Sequence, residues 1–332
     1  MNTSLPFIHE HHFRAMGSEI TIWLEHSDAD DANAALFAAE DLFDAAERRM
    51  SRFDPASELS ELNRNAGRWM PVSRLLWQVI GRALQLAEET GGLFDPTIGN
   101  AMLASGYRSS FDATQRWDST NGTNADLPLL GQWRRVELDA TRHAIRWPAE
   151  MRLDLGGIGK GFTAQQVVDY LSPWGPCLVD AGGDVTAGDG PAGEPGWAVA
   201  IAQPSAEDSD TTPPAVTVWL NNATLATSGV DYRWWMHDGR RRHHLIDPRT
   251  GDSAQTDLVT ASVLAADASA AEAWATASLI AGQAASLARA RQGGWPLLLI
   301  NTQGAVQVTP GLERFLVQPT YLTLAAVPAA AI

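Results

Sequence analysis

Glu19-Ile20-Thr21-Ile22-Trp23-Leu24-Glu25 alternates, with Ile20, Ile22 and Leu24 falling on one side. A period of two predicts a half-buried strand. The period then changes. Over residues 28–50 the apolar positions Leu36, Ala39, Phe43, Ala46 and Met50 recur at helical spacing, which predicts a helix. A second helix is expected from Ser73, as N-cap, with Leu76, Ile80, Ala83 and Ala87 on one face and Gly91-Gly92 as its stop. Further on, short strands are predicted at 136–138, 178–180, 197–201 and 216–220, an alanine-rich helix over 266–291, and closing strands at 297–300 and 306–308. Residues 112–132 are polar and aperiodic and read as a surface insertion, and residues 203–214 as an acidic, proline-containing loop. No repeat or long linker divides the chain. The mixed order predicts an α+β fold, or a loosely wound α/β one.

Composition narrows the function. The 332 residues are 45% hydrophobic and 19% charged, enough for a substantial core. With 24 Lys and Arg against 39 Asp and Glu, the formal charge is −15. A chain this acidic repels nucleic acid and anionic lipid, so neither is an expected partner. Cys177 is the sole cysteine. It excludes an internal disulfide and a cysteine metal cluster, and in Pro176-Cys177-Leu178-Val179 it reads as a small core residue. The first fourteen residues carry His9, His11 and His12 without metal-site spacing and lack the apolar core of a signal peptide; no stretch reaches membrane-span length. A cytoplasmic protein with a flexible tail over residues 1–12 is expected.

Two motif matches fail on context. Gly188-Asp-Gly190-Pro-Ala-Gly193 fits the dinucleotide pattern by letter, but Pro191, Pro195 and Gly196 prevent a helix from opening there. Gly159-Lys160-Gly161 lacks the Ser or Thr and the earlier glycine of a phosphate-binding loop. What remains is a series of Gly-, Asp- and His-bearing segments: 14–18 (RAMGS), 51–63 around Ser51-Arg52-Phe53-Asp54-Pro55, 92–97 (GLFDPT), 154–161 (DLGGIGKG), 180–184 (DAGGD), 226–229 (ATSG), 243–251 (HHLIDPRTG) and 271–277 (AEAWATA).

In order and spacing these segments resemble the FAD:protein FMN transferases, the ApbE family, from about residue 13 to residue 304. The resemblance implies one catalytic domain over 13–310, followed by a C-terminal tail over 311–332, with an FAD cleft between sheet-and-helix subdomains. It implies transfer of the FMN moiety of FAD to a Ser or Thr hydroxyl of a client flavoprotein, release of AMP, and Mg²⁺, or Mn²⁺, at the pyrophosphate. The metal ligands it implies are the carbonyl of Gly157 with Glu272 and Thr276, which lie four apart and so share one helical face. Glu272 departs from the family's Asp and is one methylene longer, so the ion would shift or a water would intervene; Gln165 also stands where Asp is usual. Matched FAD contacts are Met16, Phe53, Asp95, Thr97, Asp154, Lys160, Gly182, Gly183 and Ser228. Lys160 pairs with phosphate as a point charge.

His244, in His-x-x-Asp-Pro, is the candidate general base toward the acceptor hydroxyl, since histidine titrates near neutrality. A structural histidine bonded to Asp247 is the alternative, and His243 is the lesser candidate because the family pattern keeps only the second histidine. Two other functions fit the same residues: an FAD pyrophosphatase giving FMN and AMP, and a non-catalytic FAD-binding protein.

Overall fold

The computed structural model describes residues 7–110, 118–119, 131–204 and 214–317. The expected insertion at 112–132, apart from 118–119 and 131–132, and positions 205–213 of the acidic loop lie outside the described residues. The chain opens with β1 (Phe7–Ala15), β2 (Ser18–His26), α1 (Ala29–Met50), α2 (Glu58–Arg64), β3 (Met70–Pro71), α3 (Arg74–Glu89) and α4 (Gly99–Ala104). There follow β4 (Asp118–Ser119), β5 (Glu137–Asp139), β6 (Ala144–Arg146), α5 (Gly159–Leu171), β7 (Cys177–Ala181), β8 (Val185–Ala187), β9 (Trp197–Ile201), β10 (Val216–Leu220) and β11 (Ala223–Gly229). The last third holds β12 (Trp234–His237), β13 (Arg240–His243), β14 (Ile246–Asp247), β15 (Asp252–Ser253), β16 (Leu258–Ala265), α6 (Ala268–Ala281), α7 (Gln283–Gly293), β17 (Leu297–Asn301), β18 (Val306–Val308) and α8 (Pro310–Glu313).

Among the described residues, eight strands form the main sheet in the order β1-β2-β7-β8-β11-β16-β17-β18. The alternation of β2 explains its two coats. Ile20, Ile22 and Leu24 pack with Leu36, Ala39 and Phe43 of α1 and Val167 and Leu171 of α5. Trp23 points the other way, into a cluster with Trp197, Val199, Val218 and Leu220 of the β9–β10 hairpin. Cys177 is fully buried in β7, as its neighbours suggested. A second core gathers Leu59 and Leu62 of α2, Leu76, Ile80 and Ala83 of α3, Ile145 of β6, and the chain from Met151 to Ile158. Ser73 caps α3 as predicted, its hydroxyl accepting from Leu76 N–H at 3.2 Å.

Two stretches run through both cores: in α1, Leu36, Ala39 and Phe43 belong to the first and Ala46 and Met50 to the second, and the chain over 153–171 does the same in reverse. Leu153, Leu155 and Ile158 belong to the second core, and Ala164, Val167 and Leu171, immediately downstream in α5, belong to the first. Asn63 fixes the joint from α2: its amide donates to Leu153 O at 2.9 Å and its oxygen accepts from Leu153 N–H at 2.8 Å.

Several expectations need correction. Residues 7–12, expected in a flexible tail, form most of β1 and pair in register with β2 from Phe7↔His26 onward. The period-two signal was present but was carried by histidines. His11 turns inward and meets Glu40 of α1 at 2.6 Å, and its ring lies 4.8 Å from that of Phe37. Residues 311–317, expected in a C-terminal tail, are also packed: Leu312 is fully buried, and Val317 N–H reaches Thr217 O at 2.9 Å. The single helix expected over 266–291 is two, because Gly282 adopts φ 80° and breaks it between α6 and α7. Helices α2, α4 and α5 were not foreseen; at 7 and 6 residues the first two are too short to display a period, and α5, at 13, opens on Gly159 and Gly161, which read as loop. Among the described residues no helix is long and apolar enough to cross a membrane.

Candidate functional site

The first turn of α5 brings Lys160 beneath α6. Its ammonium donates to Glu272 Oε1 at 2.6 Å and to Asp184 Oδ2 at 2.7 Å. The other oxygen of Glu272 accepts from Gly161 N–H at 3.0 Å, so a carboxylate from one helix caps the amide end of another. This contact requires glycine at 161. A Cβ there would lie 2.9 Å from both Ala268 O and Glu272 Oε2. Asp184 is fixed in turn by Thr227 N–H at 3.0 Å. All three side chains are nearly enclosed, 12% exposed for Lys160, 8% for Asp184 and 6% for Glu272. Burial alone would push the lysine down, but the two carboxylates carry it above its ordinary range, so it stays charged.

Around this centre the structure assembles most of the expected residues. Thr276, one turn beyond Glu272, shares a 3.1 Å hydrogen bond with Ser228 of β11. Gly182 and Gly183 form the tight connection between β7 and β8, with φ of 67° and 95°, and Gly183 N–H donates to Asp180 at 2.8 Å. Burial pushes the Asp180 carboxyl up. Met16 occupies the two-residue turn between β1 and β2 at φ 53°, a conformation that a non-glycine residue rarely adopts. Its Cε would lie 3.2 Å from a Cβ at Gly159. Gly157 sits against the Phe94 ring.

A second group adjoins the first through Asp154. One of its oxygens accepts from Gly156 N–H at 2.8 Å, and the other lies 2.7 Å from Arg52 Nε. The Arg52 guanidinium lies over the rings of Phe53 and Tyr107, 4.1 and 4.5 Å from their centroids, and Tyr107 stacks on Trp235 at 5.0 Å. Asp95 and Thr97 are tied to each other, the hydroxyl donating to Asp95 Oδ1 at 2.6 Å, and to this group by Asp154 N–H on Pro96 O at 2.8 Å. Burial raises the Asp95 carboxyl despite Thr97.

His244 follows β13 directly. Its Nδ1 donates to Arg233 O at 3.4 Å, which leaves Nε2 with the lone pair. Burial, then the Arg233 guanidinium and His243, hold it well below the ordinary histidine value, and Lys160 adds to the effect. Asp247 is not its partner; that carboxylate is forked by Arg249 at 2.9 and 2.8 Å. His243 is a structural residue, buried and bonded through Nε2 to Ala254 O at 3.1 Å.

Three contributors were missed as site residues. Arg52 lies inside a matched segment but was given no role, and Arg233 and Tyr107 stand in no motif, Tyr107 being close to the aperiodic stretch over 112–132. Arg233 donates to Ser18 Oγ at 3.0 Å, and its charge acts on Lys160, Tyr107 and His244 alike. Among the described residues no group of three or more His, Cys, Asp or Glu side chains forms a ready metal cage.

The chain is similar in sequence and in fold to known proteins. Residues 16–298 match the model of the ApbE family. A protein of Treponema pallidum (strain Nichols) named FAD:protein FMN transferase is 32% identical over 300 residues, covering 86% of this chain and 82% of the relative. One of the same name from Escherichia coli (strain K12) is 26% identical over 284 residues, covering 82% and 79%. In fold, the crystal structure of an ApbE protein from Thermotoga maritima matches with TM-score 0.81 at 24% identity, over 94% of this chain and all of that one. The apo flavinyl transferase ApbE of Pseudomonas stutzeri matches with TM-score 0.79 at 20% identity, over 95% and 98%.

Proposed function

The chain belongs to the ApbE family, and from that premise we propose that it is an FAD:protein FMN transferase, moving the FMN half of FAD to a Ser or Thr hydroxyl of a client flavoprotein and releasing AMP. The observation that carries this reading is the buried Lys160 ammonium at the amide end of α5, held by Asp184 and Glu272. Phosphoryl transfer demands positive charge positioned in advance where a pyrophosphate will lie. A lysine kept charged in a nearly closed site supplies it to a phosphate that takes the ammonium from its carboxylates, because little water screens it there.

The placement supports the following residue roles. His244 takes the proton of the acceptor hydroxyl on Nε2 while Nδ1 stays on Arg233 O. The hydroxyl oxygen then bonds to the phosphorus of the FMN moiety, the bond from that phosphorus to the bridging oxygen breaks, and the oxygen leaves on AMP. Lys160 pairs with the phosphate oxygens. Met16, Phe53, Asp95, Thr97 and Asp154 line the FAD side, with Arg52 setting the orientation of Asp154. Gly182, Gly183 and Ser228 give the ligand a close backbone approach.

The family's cation also fits. Glu272 and Thr276 offer carboxylate and hydroxyl oxygens one turn apart on α6, the hard donors that magnesium takes, and an ammonium already stands at Glu272 as a cation. With the Gly157 carbonyl these residues would hold Mg²⁺ or Mn²⁺. When bound, the ion neutralises charge on the pyrophosphate. Incubation with FAD and Mg²⁺, with and without an acceptor flavoprotein, tests the reading. AMP formed only with acceptor is the expected result; AMP without acceptor means a pyrophosphatase, and no AMP means a binding protein. Excess EDTA should stop the reaction, and undiminished turnover there would remove the metal from Glu272 and Thr276.

A further inference from the structure

We infer that Lys160 and the divalent cation compete for a single oxygen of Glu272, so that the cation site stays closed until an anionic phosphate draws the ammonium away. The inference rests on the transferase reading for the identity of that phosphate. Glu272 has two oxygens with separate duties. Oε2 is fixed on Gly161 N–H at 3.0 Å, and Oε1 is taken by Lys160 at 2.6 Å. The oxygen free to turn toward an ion without uncapping α5 is therefore Oε1, and the ammonium covers it. Lys160 is anchored on its other side by Asp184 Oδ2 at 2.7 Å, so it does not leave by thermal drift alone. A second cation beside a charged ammonium in a nearly enclosed site is repelled. A diphosphate reverses the balance: it offers strong acceptors to an ammonium that has used two of its three donors, and it adds negative charge that favours the incoming ion. Glutamate at 272 suits this exchange, since its extra methylene lets one carboxylate span the lysine and the Gly161 amide from α6. Binding is then ordered, nucleotide before metal.

The test measures Mn²⁺ binding to the full chain by the paramagnetic resonance signal of the free ion. Without nucleotide, Lys160→Gln should bind Mn²⁺ at least tenfold more tightly than the parent. ADP, with its own Mn²⁺ complexation subtracted from a protein-free control, should tighten the parent at least tenfold and Lys160→Gln far less. Equal Mn²⁺ affinity of parent and Lys160→Gln without nucleotide would overturn the competition. If Lys160→Gln unfolds for want of a partner to its two carboxylates, Mn²⁺ should restore its melting transition; no rise with Mn²⁺ again overturns it. The two readings fail separately. If FAD yields no AMP but Lys160→Gln still gains Mn²⁺ affinity, the transferase reading falls and the competition stands.

Discussion

At the residue, the acid–base argument turns on His244. Its neutral form is the one that accepts a proton, and burial with Arg233 holds its pKa well below the ordinary 6.5. Protonation therefore comes late on the acid side, and the transfer rate of the parent should stay level as the pH falls through 6.5, declining only below it. An acid limb centred at 6.5 would show that an ordinary, solvated histidine is the base. His244→Ala should keep FAD binding and lose about 10²–10⁴-fold in transfer. His243→Ala should spare the chemistry, since that ring is bound to Ala254 O. His244, Lys160 and Glu272 were legible as candidates because each stands in a recognisable local pattern. That Lys160 and Glu272, 112 positions apart, are bonded to each other is written in no local pattern. Arg52 and Arg233 were invisible for a related reason: what distinguishes them is which rings and carbonyls surround them, and no spacing rule encodes that.

At the level of elements, the β13–β15 region shows how a histidine can serve the fold. His243 is bonded through its backbone and ring to Ser253 and Ala254, and burial pushes its pKa down to about 4. Above pH 6.5 both folded and unfolded chains carry it neutral. As the pH falls from 6.5 toward 4, the unfolded chain takes up a proton that the folded one refuses, so stability is lost. The depression corresponds to about 3 kcal/mol. Denaturant titrations at several pH values should therefore show a flatter fall in stability for His243→Gln than for the parent; identical slopes would mean that the ring is solvated. Elements with a long, unmixed period were legible: α1, α3, β2, β9 and β10 lie where the periods put them. Short helices, and β1 with histidine on its inward face, were not, because a period needs several turns or apolar markers to register. Gly282 was legible as a residue but not as a break, since an isolated glycine within a helical pattern is often tolerated.

Across the whole molecule, the far end of the chain does structural work that its composition concealed. Leu312 lies fully buried with Trp197, Val218 and Leu220, and residues 316–317 pair with β10. Ending the chain after residue 309 should remove that packing and lower the melting temperature by about 5 °C or more. Ending it after residue 317 keeps every one of these contacts, and a melting temperature unchanged between the two truncations would show that α8 contributes nothing.

The Asn63 clamp has a consequence for how such a protein can vary over time. Leu153 is gripped from α2, and a few residues later the same chain is committed to the opposite core. Site and scaffold are thus inherited together. A segment exchange that imported a foreign α2 would lose this grip on Leu153 unless it kept an amide side chain at position 63.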